Sequence, residues 1–128
     1  MKLLLDTHAA LWWWEDSPSL GGTVRKAMAD PENEIFYSAA SAYEILQKVR
    51  LGRLIVPAQL AGQLSSVVRD EGWVPLPLTP AEAALAASIK HDHRDPFDRM
   101  LAAQCQIGHL LLASVDGVFD ELSVKRIW

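Results

Sequence analysis

The chain has one cysteine, Cys105, among 128 residues. An internal disulfide is excluded, and so is a cysteine-built zinc site; a lone thiol suits a reducing compartment. Positive charge is also scarce. Lys plus Arg total 12 against 16 Asp plus Glu, a formal net charge of -4. The chain therefore lacks the basic footprint of a protein that holds nucleic acid by charge alone. An acidic total still allows an enzyme of nucleic acid, because carboxylates that hold a metal are counted in it. No segment reaches the roughly 20 apolar residues of a membrane helix. The start, MKLLLDTHAALWWW, is broken by Asp6 and His8 and has no small-residue cleavage site, so no secretory leader is expected. The expectation is a soluble cytoplasmic protein with no membrane partner. The seven glycines form neither a phosphate loop with a lysine nor a dinucleotide fingerprint. No serine sits in a nucleophile elbow.

What the chain has is apolar material, 50% of its residues. That suits one domain over 1–128 with a real core. The apolar run after Lys2 predicts a buried strand at 2–6, followed by a helix over 9–14 that Thr7 can cap. A loop at 15–18, a helix over 20–29 and a turn at Asp30-Pro31-Glu32-Asn33 follow. Residues 34–38 (EIFYS) read as a second strand and 41–49 as a helix with Ala42, Ile45, Leu46 and Val49 on one face. Pro57 opens a helix to about Glu71, closed by Gly72. Residues 73–76 read as a strand that Pro75 confines to an edge. Thr79-Pro80-Ala81-Glu82 is a capping box that starts a helix over about 80–90. Asp95-Pro96 starts another over 96–107, stopped by Gly108. Residues 110–114 (LLLAS) form a fourth strand and 125–128 a last edge strand. Strand and helix in alternation, with strands apolar throughout, predict a three-layer α/β/α sandwich on a four- or five-stranded, mainly parallel sheet. Trp12, Trp13 and Trp14 cannot all face inward from one helical turn. At least one is expected at the surface, which favours a stable partner.

Ligands of open parallel sheets bind beyond the strands' C-terminal ends. Asp6 ends the first strand, Asp116 follows the fourth, Glu44 lies one turn into the helix after the second, and Asp98 begins the helix before the fourth. Brought together, four carboxylates repel unless a cation compensates. Hard divalent ions, Mg²⁺ or Mn²⁺, take such oxygen ligands, and the cluster supports metal-assisted attack on a phosphodiester.

Each acid also has a plainer role open to it. Asp6 could cap the helix after it. Glu44 could close a capping box with Ser41 or pair with Lys48 one turn on. Asp116-Gly117 could be a turn. Asp95 sits at the N-cap of its helix, and Asp98, three residues on, could serve the same helix start. His8, His91 and His93 lack the partner set of a zinc site, and Cys105 reads as packing within an apolar helix. Two rivals to a nuclease remain. A metal-dependent phosphatase or phosphoacceptor domain would need a nucleophilic aspartate with a nearby lysine or second acid, and the second aspartate that many phosphatases carry two residues on is replaced by His8 after Asp6. A catalytically silent binding or scaffolding domain would show a gap among the acids.

The motifs LLLDTHAALWW (3–13), SAASAYEI (38–45), HRDPFDRMLAAQ (93–104) and LLASVDGVFDE (111–121) closely resemble those of PIN-domain ribonucleases of the VapC toxin family, from type II toxin–antitoxin systems. With GRLIVP at 52–57 and the terminal RIW, the likeness covers essentially the whole chain. It implies that Asp6, Glu44 and Asp98 form a metal site, with Asp116 as a fourth, less constant acid. Val115 and Gly117 depart from the family's common residues around that position. Thr7 and Ser38 match small hydroxyl positions near the site, and Asp95 a frequent acid. The resemblance further implies an endoribonuclease that cuts single-stranded or loop RNA with Mg²⁺ or Mn²⁺, leaving 5′-phosphate and 3′-hydroxyl ends. It implies a homodimer neutralised by a cognate antitoxin. Lys48, Arg50, Arg53, Arg94 and Arg99 are candidates for phosphate contacts or for ordinary ion pairs.

Overall fold

Three leucines set the centre of the fold. Leu3, Leu4 and Leu5 of strand β1 (Lys2–Leu5) are all fully buried. Successive strand residues point to opposite faces. Leu3 and Leu5 accordingly enter one core with Ala9, Val24 and Ile45, whereas Leu4 enters another with Leu101, Leu112 and Phe119. Each such leucine contributes about 1.5–3 kcal/mol by leaving water, so β1 is stable only when covered on both faces.

The computed structural model describes residues 1–128 and shows that cover. After β1 come α1 (Thr7–Trp14), α2 (Gly22–Ala29), β2 (Glu34–Ser38), α3 (Ala39–Arg50), α4 (Ala58–Gly62) and α5 (Leu64–Asp70). They are followed by β3 (Val74–Leu76), α6 (Pro80–Ser88), α7 (Pro96–Gly108), β4 (Leu111–Ala113), α8 (Val118–Glu121) and β5 (Arg126–Ile127). The five strands lie in the order β3-β2-β1-β4-β5, and every neighbouring pair is parallel. Leu3 stands opposite Ile35 of β2 and Leu111 of β4. Helices α1 to α5 supply the first core, α7 and α8 the second, and α6 lies against α7. The expected three-layer α/β/α sandwich is the one observed, with the Pro75 strand at an edge and β5 at the other. No helix is long and apolar enough to cross a membrane.

Local signals explain most element starts. The capping box is complete: Thr79 Oγ1 accepts from the Glu82 amide at 3.2 Å and Glu82 Oε2 from the Thr79 amide at 2.9 Å. Asp95 Oδ1 accepts from the Phe97 and Asp98 amides at 2.9 and 3.3 Å.

Four expectations change. Helix α1 begins at Thr7, and Asp6 caps it by accepting from the Ala9 amide at 2.7 Å; Thr7 is left free for another partner. Helix α3 begins two residues earlier than read, capped by Ser38, whose Oγ accepts from the Ala40 amide at 3.0 Å. Ser41 thus lies inside the helix, and its capping box with Glu44 does not form. The helix expected from Pro57 to Glu71 breaks at Gln63, whose φ of -135° is not helical, just after the weak helix former Gly62. Helix α7 includes Gly108, and His109, at φ 53°, makes the left-handed turn instead.

The tryptophans also differ from expectation: none of Trp12, Trp13 and Trp14 is exposed, and all are half-buried. Trp14 packs on Trp73 and Tyr37, with ring centres 5.4 and 5.7 Å away. Trp12 packs edge-to-face with Trp128, ring centres 5.5 Å apart, and Trp13 Nε1 donates to Glu71 Oε2 at 3.0 Å. Neighbouring aromatic and polar groups of the same chain absorb the surface that suggested a partner.

Candidate active site

The order of the strands decides where the acids meet. Strand β1 is central, with β2 and β4 beside it and parallel to it, so their C-terminal ends lie along one edge of the sheet. Asp6 follows β1, α3 follows β2 and carries Glu44, and Asp116 lies beyond β4. The first turn of α7 brings Asp98 to the same edge. All four carboxylates line one cleft of about 360 Å³, together with Thr7, Lys48 and Asp95.

Each acid is held differently. Asp6 is buried, and burial raises its pKa above 3.8, with a smaller upward push from Glu44; Ser114, the Ala9 amide and His8 oppose that. Glu44 is also buried and makes two charge-assisted contacts. Thr7 Oγ1 donates to its Oε1 at 2.5 Å, and Lys48 Nζ meets its Oε2 at 2.7 Å. The Lys48 pair open to Glu44 from the sequence is therefore formed. Asp98 lies 2.7 Å from His93 Nε2 through its Oδ2. Burial, opposed by His93 and assisted by the charges of Asp95 and Glu44, pushes its pKa up to about 6. Asp116 is exposed, and its Oδ1 accepts from the Val118 amide at 3.0 Å, which starts the short helix α8 where only a turn was expected.

The donors are hard oxygens, and burial beside Glu44 leaves Asp6 and Asp98 short of positive compensation. Both features fit Mg²⁺ or Mn²⁺. As the side chains stand, no three histidine, cysteine, aspartate or glutamate side chains approach closely enough to share one ion. Glu44 contacts Thr7 and Lys48, and Asp98 contacts His93. Lys48 would have to leave Glu44 Oε2 for a cation to take its place, whereas Asp98 Oδ1 accepts no hydrogen bond and can face a cation with His93 still on Oδ2.

Arg99 is not a free phosphate ligand. Its guanidinium donates to five backbone carbonyls: Ala86 at 2.8 Å, His91 at 3.0 Å, His93 at 3.1 Å, Ala87 at 3.4 Å and Ile89 at 2.5 Å. It ties the end of α6 and the following loop to the start of α7, and that loop presents His93 to Asp98. Arg50, Arg53 and Arg94 are exposed.

Two residues that tie the elements around the site together escape the sequence reading. His93 reads from the sequence only as lacking the partners of a zinc site; its spacing five residues before Asp98 across a helix cap is the available signal. Gln104 is buried in the apolar face of α7, where it accepts from Ser38 Oγ at 2.6 Å and donates to the Pro77 carbonyl at 3.2 Å. A glutamine within an apolar helical stripe marked it.

Residues 3–125 match the PIN domain family, and the chain belongs to it. Its fold is similar to that of FitAcB from Neisseria gonorrhoeae, with 20% identity, a TM-score of 0.69, and coverage of 98% of this chain and 96% of that one. It is similar to VapBC2 from Rickettsia felis, solved bound to a DNA fragment from their promoter, with 12% identity, a TM-score of 0.74, and coverage of 100% and 99%. A third likeness is to VapBC-1 from nontypeable Haemophilus influenzae, with 12% identity, a TM-score of 0.70, and coverage of 99% and 97%. No curated protein matches the sequence.

Proposed function

We propose that this PIN-domain protein is a metal-dependent endoribonuclease toxin of the cytoplasm, neutralised by a cognate antitoxin. One observation carries the reading: Asp6, Glu44, Asp98 and Asp116, from four separate parts of the chain, line one cleft at the C-terminal edge of a parallel sheet. The VapC resemblance of the motifs supports RNA as substrate and an antitoxin as partner, as does the likeness in fold to VapBC2 and VapBC-1 for the latter. The homodimer rests on that resemblance alone, since the tryptophans that also suggested it pack within the chain.

Asp6, Glu44 and Asp98 would hold Mg²⁺ or Mn²⁺, with Asp116 as the exposed fourth acid. When bound, the ion supplies an activated water for in-line attack on phosphorus and offsets the charge that develops there. The chain's own groups do the rest. Thr7 orients Glu44 through its hydroxyl, and His93 orients Asp98 through Nε2. Lys48, once released from Glu44, is placed to contact a phosphate oxygen. The products carry 5′-phosphate and 3′-hydroxyl ends.

The test is cleavage of total RNA in Mg²⁺ or Mn²⁺ against EDTA, with cut sites and end groups mapped. The expected result is cleavage only with a divalent ion, lost in Asp98→Asn. Equal cutting in EDTA, or by folded Asp98→Asn, would overturn the assignment.

A further inference from the structure

Acids, a hydroxyl and a lysine account for the chemistry proposed for the cleft, but part of its lining is of another kind. His8 and Trp12, one turn apart on α1, line the same cleft as the four carboxylates. Their ring centres are 5.4 Å apart and the planes are tilted by 38°. His8 is exposed, and Trp12 also packs edge-to-face with Trp128, ring centres 5.5 Å apart. Val115, on the loop after β4, adds an aliphatic surface that is 51% exposed. A phosphate or a hard cation gains little from the indole face of Trp12 or from the Val115 side chain. A flat apolar partner gains more, because every nucleobase has a π face that stacks on an aromatic side chain whatever its sequence.

We propose that His8 and Trp12, flanked by Val115, form a platform for one unpaired nucleobase of the strand whose phosphodiester lies among the acids. This inference rests on the nuclease reading of the same cleft and deepens it. The platform positions the strand, and it supplies a physical cause for the preference for single-stranded or loop RNA that the resemblance implies, since a base within a duplex has no free face to offer. Charge does not duplicate this work. The cleft holds Lys48 as its only lysine or arginine against five carboxylates, so base stacking supplies binding that phosphate contacts alone lack.

The test measures binding of short fluorescein-labelled RNA by anisotropy in Mg²⁺, on Asp98→Asn so that the strand is not consumed. The probes are one single-stranded RNA, the same RNA with a single abasic site walked along it, and its blunt duplex. An abasic site at one position near the cut is expected to weaken binding about tenfold, and the duplex to bind at least as weakly. Trp12→Leu and His8→Ala should each lose about as much and flatten the abasic profile, while Trp12→Phe retains it. A merely structural role for Trp12 would not tie affinity to one base position. Because Trp12 also packs on Trp128, Trp12→Leu can fail to fold; exposed His8→Ala and the ring-retaining Trp12→Phe then decide. A flat abasic profile in a protein that binds and cuts RNA overturns the platform alone. Absence of both binding and cleavage in the unsubstituted chain overturns the nuclease reading, and the platform with it.

Discussion

Replacing Asp98 by asparagine removes one negative charge from a crowded, partly buried position while preserving the shape of the side chain. The folded protein holds the Asp98 carboxyl at about 6 against an ordinary 3.8, chiefly through burial. A shift of one pKa unit corresponds to about 1.4 kcal/mol, so ionising Asp98 in the fold costs about 3 kcal/mol. The side chain is 22% exposed, and solvent screening there lowers the figure toward about 2 kcal/mol. The folded value lies above the unfolded one. Stability from the protonated acid is therefore fully present below about pH 4 and is lost as pH rises through about 6. Metal-free Asp98→Asn should be more stable than the parent at about pH 8, by about 2 kcal/mol or roughly 6 °C in Tm. The gain should vanish near pH 4. Mg²⁺ or Mn²⁺ should raise the Tm of the parent and raise that of the variant less. Thermal unfolding in EDTA and in metal, at both pH values, measures all of this. No gain at the higher pH, or an equal gain at both, would refute the claim that Asp98 is a costly buried charge.

Asp95 separates from Asp98 in the same stretch. Asp95→Ala deletes the cap on the Phe97 and Asp98 amides and should cost about 1 kcal/mol in urea unfolding, whereas Asp95→Asn, which keeps a capping oxygen, should cost little. Gly21→Ala would place a Cβ 2.8 Å from the Trp128 backbone and ring, and overpacking there should destabilise the fold by about 1–3 kcal/mol. A double-mutant cycle with Trp128→Ala should recover part of that loss, and strict additivity would contradict the contact. Arg99→Lys keeps the charge but loses the fork that gathers carbonyls from Ala86 to His93, so it should lower stability by about 2 kcal/mol in denaturant unfolding. A neutral outcome would return Arg99 to the list of available phosphate contacts.

Much of this was legible because its causes are local. Asp95-Pro96 and Thr79-Pro80-Ala81-Glu82 each specify a helix start within four residues, and both form as read. Pro75 lacks the amide that a central strand needs, and its strand lies at the sheet edge. The placement of the acids near the strand ends was legible too, since alternation of strand and helix implies a parallel sheet and a parallel sheet gathers its C-terminal ends. Only the tertiary structure decided what each acid touches. Thr7 and Glu44 are 37 residues apart, and Ser38 and Gln104 are 66 apart; neither pair has a sequence signature, because the intervening crossovers bring them together. The same holds for Arg99. Its charge suggested phosphate, but carbonyls from α6 and the next loop reach it first, and a half-buried guanidinium takes the acceptors that the fold supplies. The tryptophans followed that rule as well. A helical wheel assigns a side chain to a face, but Trp73, Trp128 and Glu71, distant in the chain, settled how far that face is covered.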